Sequence, residues 1–149
     1  MEKIITEDLI ILNLEAKNKE EVIRKIAKKM DEAHRLNDLQ GYIDGVMARE
    51  KEYATAIGFK VATPHALVDA VKCCTVCYAK LKTPIKWSEN EDEEPVDLIF
   101  QIAVPSIAEC NTHLRILATL SRNLMRDNFR KSLREAQTTQ DVLKLLEEL

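Results

Sequence analysis

The chain has 149 residues, 46% of them hydrophobic, which is long and apolar enough to bury a substantial core within one domain of ordinary size. Lysine and arginine number 22 against 25 aspartate and glutamate, and a formal net charge of -3 gives no reason to expect binding to nucleic acid or insertion into an anionic membrane. No apolar run reaches the length of about 18 residues that a spanning helix needs, and Met1-Glu2-Lys3-Ile4-Ile5-Thr6-Glu7-Asp8 lacks the pattern of a signal peptide, so the expectation is a soluble, cytoplasmic protein.

In chain order, Ile10-Ile11-Leu12-Asn13-Leu14 is a short apolar run suited to a strand. Asn18 followed by Glu21 resembles a helix-start capping box, and Val22, Ile23, Ile26, Ala27, Met30 and Ala33 then keep helical spacing, with Arg24, Lys25, Lys28 and Lys29 opposite. His34 falls near the end of that helix, where a cation is favourable, and receives no chemical role. Asp38 can cap a second helix with Leu39, Tyr42, Ile43, Val46 and Met47 buried, ending near Arg49 and Glu50. Strands are predicted over residues 61–63, 73–81 and 96–104, the last apolar almost throughout, as in a strand covered on both faces. Residues 88–94 read as an acidic loop that cannot pack and serves solubility. Past Pro105, Asn111 or Thr112 can cap a long helix with Leu114, Leu117, Ala118, Ser121, Leu124 and Met125 inward; shorter helices are predicted over residues 129–136 and 142–149. The order βααβββααα, without internal repeat, calls for a layered α/β fold with a mixed sheet.

Two features invite a function and are set aside. Cys74-Thr75-Val76-Cys77 has the spacing of a metal or redox motif, but on a strand three residues' separation sends the two thiols to opposite faces; Cys73, Cys74, Cys77 and Cys110 are expected to act as small hydrophobes. Arg122, Arg126, Arg130 and Arg134 recur every four residues after Arg115, which on a continuous helix makes a solvated stripe, with a partner-binding face as the alternative.

The chemistry concentrates in Val61-Ala62-Thr63-Pro64-His65-Ala66. Proline fixes its own φ and biases Thr63 toward an extended backbone, while Ala66 leaves the imidazole uncrowded. A histidine held this way offers a neutral ring nitrogen near pH 7, suited to a nucleophile, although a structural histidine is the duller alternative. Arg49 could simply complement the end of its helix, and His113, sharing a face with Ile116, Leu117 and Leu120, could orient other groups.

The run from Arg49-Glu50 through Ile57-Gly58 to Ala62-Thr63-Pro64-His65-Ala66 resembles the active-site signature of the fructose/mannitol-type enzyme IIA domains of the bacterial sugar phosphotransferase system. The resemblance continues in Pro84-Ile85-Lys86-Trp87, in Val96-Asp97-Leu98-Ile99-Phe100 with Val104-Pro105, and in residues 113–122, so it spans nearly the whole chain as one domain, residues 1–149. It implies a three-layer α/β/α sandwich. It also implies phosphoryl relay, in which His65 accepts phosphate from phospho-HPr and gives it to an enzyme IIB, with His113 and Arg49 shaping the pocket and Glu50 at an acidic position without a catalytic role. Neither ATP nor a metal is implied, in keeping with the absence of a Walker-type loop in a chain with three glycines, Gly41, Gly45 and Gly58. In the chemistry so implied, the planar charged fork of Arg49 suits phosphate, and His113 sits at a predicted helix start that favours an anion. A shallow apolar surface around His65 is expected, since two proteins must reach it in turn. Thr63 departs from the family's more usual aliphatic residue, adding a hydroxyl near the site while keeping the extended backbone. A nitrogen-related regulatory branch, in which the phosphorylation state of His65 controls partner binding, is the alternative to sugar transport.

Overall fold

The computed structural model describes residues 4–106 and 111–148, the side chains of residues 111–114 and 116 lying outside the description. A 3-10 turn, Glu7–Leu9, leads into strand β1 (Ile10–Leu14). Helix α1 (Lys19–Glu32) begins where the Asn18 side chain accepts a hydrogen bond from the Glu21 N–H at 2.9 Å, satisfying one of the unpaired donors of a helix start. Its buried face is Val22, Ile23, Ile26, Ala27 and Met30, while Ala33 is the residue that ends it. Helix α2 (Leu39–Glu52) is capped likewise, with Asp38 accepting from the Gly41 N–H at 3.1 Å, and it buries Tyr42, Ile43, Val46 and, unexpectedly, Glu50.

Strands β2 (Ala56–Gly58), β3 (Val61–Ala62), β4 (His65–Leu67), β5 (Thr75–Ile85) and β6 (Val96–Val104) complete a sheet that has six strands among the described residues. Helices α3 (Asn111–Leu124), α4 (Asp127–Glu135) and α5 (Thr139–Glu147) follow. The expected order βααβββααα is thus kept, with two short strands, β2 and β4, added around β3. The sheet is mixed, in the order β1-β5-β6-β3-β2, with β4 also on β6. β1 lies parallel to β5, β3 and β4 parallel to β6, and the β5–β6 and β2–β3 pairs are antiparallel.

Two apolar clusters lie on opposite faces of this sheet, which makes three layers. Ala62, Ala66, Cys77, Ala79, Ile99 and Ala103 pack with the buried faces of α1 and α2. Val61, Tyr78, Leu98, Phe100 and Val104 pack with Leu120 and Leu124 of α3, Leu133 of α4 and Val142 of α5. The alternation along each strand is the period-two geometry of the pleat. The inward face predicted for α3 is corrected in part: Leu124 is buried and Leu117 half-buried, but Ala118 and Ser121 are exposed, and Met125 lies beyond the helix, 57% exposed. Met125 falls off that face because the helix stops at Leu124.

Candidate functional site

Strands β3 and β4 are one strand interrupted. Val61 pairs with Leu98, Ala62 with Ile99, His65 with Ile102, Ala66 with Ala103 and Leu67 with Val104, so the register with β6 is the same on both sides of Thr63-Pro64. Proline has no N–H to contribute, and its carbonyl still accepts from the Ile102 N–H at 2.9 Å, which carries the pairing across the gap. With Ala62 and Ala66 turned toward α1 and α2, alternation turns His65 toward the layer that holds α3.

Among the described residues the half-buried His65 ring is held by a short contact: Nδ1 lies 2.8 Å from the Thr63 carbonyl oxygen. A carbonyl only accepts, so Nδ1 carries the proton and, in the neutral ring, the lone pair is on Nε2. The residue that sets this tautomer is in the proline-fixed corner itself.

Arg49 belongs to the opposite layer, and the two glycines of α2 show where it stands. A Cβ on Gly41 would come within 3.2 Å of Ala70 Cβ, and one on Gly45 within 3.3 Å of Ala66 Cβ and 3.0 Å of Val68 Cγ1. The helix therefore runs back along the chain leaving β4. Four further residues advance it about 6 Å, or about two strand residues, in the direction that leads from Ala70 past Ala66, so Arg49 stands further along α2 on the His65 side of Gly45. The half-buried Arg49 guanidinium stacks 3.8 Å from the centre of the Tyr53 ring and donates to the Tyr53 carbonyl at 3.4 Å. His113 lies in the first turn of α3, on the face of the sheet toward which His65 alternates; its side chain is outside the described residues, as are those of Asn111 and Thr112, and Cys110.

Glu50, which the sequence leaves without a role, is a buried carboxylate that accepts from Trp87 Nε1 at 2.7 Å, Thr55 Oγ1 at 2.8 Å and the Thr55 N–H at 3.0 Å. The signal was present in the spacing: Ile43, Val46 and Glu50 fall three and four residues apart, placing the carboxylate on the apolar face of α2.

The β2–β3 hairpin borders the site and is held by α4. Phe59 and Lys60 take positive φ of 57° and 64°, the two-residue turn geometry that Asn-Gly adopts with less strain. Arg134 donates to the Phe59 carbonyl at 2.9 Å and to Asp97 at 3.0 Å, and Arg130 lies 3.9 Å from the centre of the Phe59 ring. The expected arginine stripe does not exist. The chain breaks between α3 and α4, Arg130 is buried and bonded to Asp127 and the Leu124 carbonyl, and Arg134 is spent on the hairpin.

Cys74 falls in the apolar cluster on one face of the sheet and Cys77 in that on the other, as the strand reading expects. Burial pushes the Cys77 thiol well above its ordinary pKa. No group of three or more histidine, cysteine or acidic residues is arranged to hold a metal among the described residues. The loop at residues 88–94 is more ordered than its composition suggests: Ser88 donates to Glu93 at 3.0 Å, the Asp92 N–H to Asn90 at 3.0 Å, and Lys60 pairs with Glu94 at 3.7 Å. Among the described residues no helix is long and apolar enough to cross a membrane.

An α/β/α sandwich that presents one histidine from a proline-interrupted strand, with an arginine helix on the far side of the sheet edge, is the class defined by fold and site. Residues 3–149 match the family described as phosphoenolpyruvate-dependent sugar phosphotransferase system, EIIA 2, and the chain belongs to it. It is 38% identical over 139 residues to a PTS system fructose-specific EIIA component of Haloferax volcanii, covering 91% of this chain and 89% of that protein. It is 35% identical over 144 residues to a PTS system fructose-specific EIIABC component of Bacillus subtilis, covering 97% of this chain but only 22% of the relative. The crystal structure of nitrogen regulatory protein IIA-Ntr from Neisseria meningitidis superposes with a TM-score of 0.85 at 26% identity over 96% of each chain.

Proposed function

We propose that the chain is a cytoplasmic phosphoryl-relay component of the sugar phosphotransferase system, a single domain over residues 1–149 in which His65 takes phosphate from phospho-HPr and passes it to an enzyme IIB. The observation that supports this most directly is the Nδ1 contact with the Thr63 carbonyl, which leaves Nε2 as the nucleophile. In the accepting step the Nε2 lone pair bonds to phosphorus while the P–N bond to the donor's histidine breaks, its electron pair returning to the donor ring. The positive charge gained by the His65 ring is stabilised at Nδ1–H by the Thr63 oxygen. Onward transfer runs the other way: a thiolate of the acceptor attacks phosphorus, and the pair in the P–N bond returns to Nε2.

Arg49 and His113 are assigned to the phosphoryl oxygens, Arg49 because its charge persists at every physiological pH. Leu67 and Tyr53, 60% and 65% exposed, supply an apolar rim for docking. The test is incubation with phosphoenolpyruvate, enzyme I and HPr, followed by detection of acid-labile phosphate. Wild-type protein is labelled, His65→Ala is not, and Arg49→Lys is labelled more slowly; label retained in His65→Ala refutes the assignment. The likeness to the Neisseria structure favours a second reading, regulation by the phosphorylation state of His65. A cognate enzyme IIB that discharges the phosphoprotein supports transport, whereas phosphorylation-sensitive binding of a regulator without discharge supports regulation.

A further inference from the structure

Three hydrogen-bonded clamps run in series from a buried carboxylate to the His65 ring. Glu50, with its side chain 2% exposed, takes hold of both the N–H and the hydroxyl of Thr55, and is itself anchored by the Trp87 indole N–H. The Thr55 carbonyl in turn accepts both the N–H of Thr63 at 3.0 Å and its hydroxyl at 3.3 Å. The Thr63 carbonyl then accepts from Nδ1 of His65. Thr55 and Thr63 both lie outside helices and strands, where the Glu50 carboxylate and the Thr63 hydroxyl add side-chain bonds to the backbone bond that joins them.

We propose that Glu50 is a positioning residue for His65: through Thr55 and Thr63 it fixes the carbonyl that keeps the ring in its Nδ1–H tautomer and so keeps Nε2 as the accepting atom. The inference rests on His65 being the phosphoryl acceptor. Its chemical logic is that indole and backbone N–H groups can only donate, so the centre of this network must be a pure acceptor, which an ionised carboxylate is and an amide is not. The hydroxyl of Thr63, where the family more usually carries an aliphatic side chain, doubles the second clamp.

Glu50→Gln is the decisive variant, since it conserves shape and sets an NH2 donor against either the Trp87 or the Thr55 N–H. The tautomer is read in the unphosphorylated protein from the imidazole nitrogens of 15N-labelled His65. The wild-type ring is expected as Nδ1–H, Glu50→Gln as a mixture with Nε2–H, and Thr63→Val as a smaller shift in the same direction. The kcat for acceptance from phospho-HPr should fall about tenfold in Glu50→Gln with KM unchanged, less than the roughly hundredfold that a 1 Å misplacement can cost. A folded Glu50→Gln protein with the wild-type tautomer ratio overturns the proposal. If Glu50→Gln does not fold, Thr55→Val, which removes one hydroxyl from the carboxylate, decides by the same measurement. Because the tautomer is read without donor protein, failure of wild-type His65 to accept phosphate would sink the relay reading while leaving the Glu50 coupling separately measured.

Discussion

Replacing Gly45 with alanine tests whether α2 and β4 touch as closely as their backbones indicate. In an uncrowded helix interior the change stabilises by about 1 kcal/mol, because alanine loses less backbone entropy. Here the new Cβ would sit 3.0 Å from Val68 Cγ1 and 3.3 Å from Ala66 Cβ, inside the roughly 3.5–4.0 Å at which carbon atoms attract. Relief requires α2 to lift, and overpacking of this kind costs about 1–3 kcal/mol. Offsetting the propensity gain leaves a net loss of about 1 kcal/mol, which in a chain of this size lowers Tm by about 2–4 °C. The lift also moves Arg49 and Glu50 relative to His65, so phosphoryl acceptance should slow by more than the fraction unfolded explains. Thermal melts by circular dichroism and a phospho-HPr transfer assay read the two effects. A Gly45→Ala protein that melts several degrees higher and transfers at the wild-type rate refutes both the close packing and the alignment drawn from it.

Other perturbations bear on the surrounding frame. Arg130→Ala strands the Leu124 carbonyl, to which Arg130 donates at 2.6 Å, and frees the Phe59 ring; a loss of about 1–3 kcal/mol in urea unfolding is expected, and no loss would show that the α4 clamp does not hold the hairpin. Burial keeps the Cys77 thiol protonated, so peptide mapping after iodoacetamide at pH 8 should find Cys77 unmodified in the folded protein and alkylated in urea, while the half-exposed Cys73 reacts in both. Lys82 donates to Glu15 at 2.8 Å, holding Glu15 below and Lys82 above their ordinary pKa values. The Glu15 contribution is present above its unfolded pKa and lost as pH falls through its lowered value; the Lys82 contribution is present below its unfolded pKa and lost as pH rises through its raised one. Lys82→Met should therefore narrow toward wild type at both pH extremes and differ most near neutrality, and a stability difference independent of pH would contradict the pairing.

Helices α1 and α2 were readable because their signals are local. Asn18 with Glu21, and Asp38 with Gly41, announce their helix starts within four residues, and the apolar spacing that follows assigns each inward face. β1 and β6 were equally plain, being apolar runs with polar flanks. What stayed hidden depends on partners distant in sequence. β4 is three residues long and becomes a strand only by pairing with β6. Glu50 takes its character from Trp87, and Arg134 from Phe59 and Asp97. In the candidate site, the histidine and its proline corner were legible, whereas its tautomer was not, since a carbonyl's direction depends on backbone geometry that residue types do not encode.

The position of His65 also resolves a conflict between rigidity and access. A histidine within a doubly covered strand would be fixed but unreachable, and one on a free loop would be reachable but unfixed. The Thr63-Pro64 interruption lies where β3 gives up its second neighbour: Ala62 still pairs with both β2 and β6, whereas the pairing of β4 among the described residues is to β6. Holding the register through this break preserves the placement that β6 gives to His65, while the lost neighbour opens one side. An open edge ordinarily invites pairing with another chain, and this one is defended by being three residues long, entered through a proline and backed by α2 at Gly45. The clamps through Thr55 and Thr63 are then needed because they lie where the ladder stops, and a carboxylate buried behind them holds the corner without covering the ring.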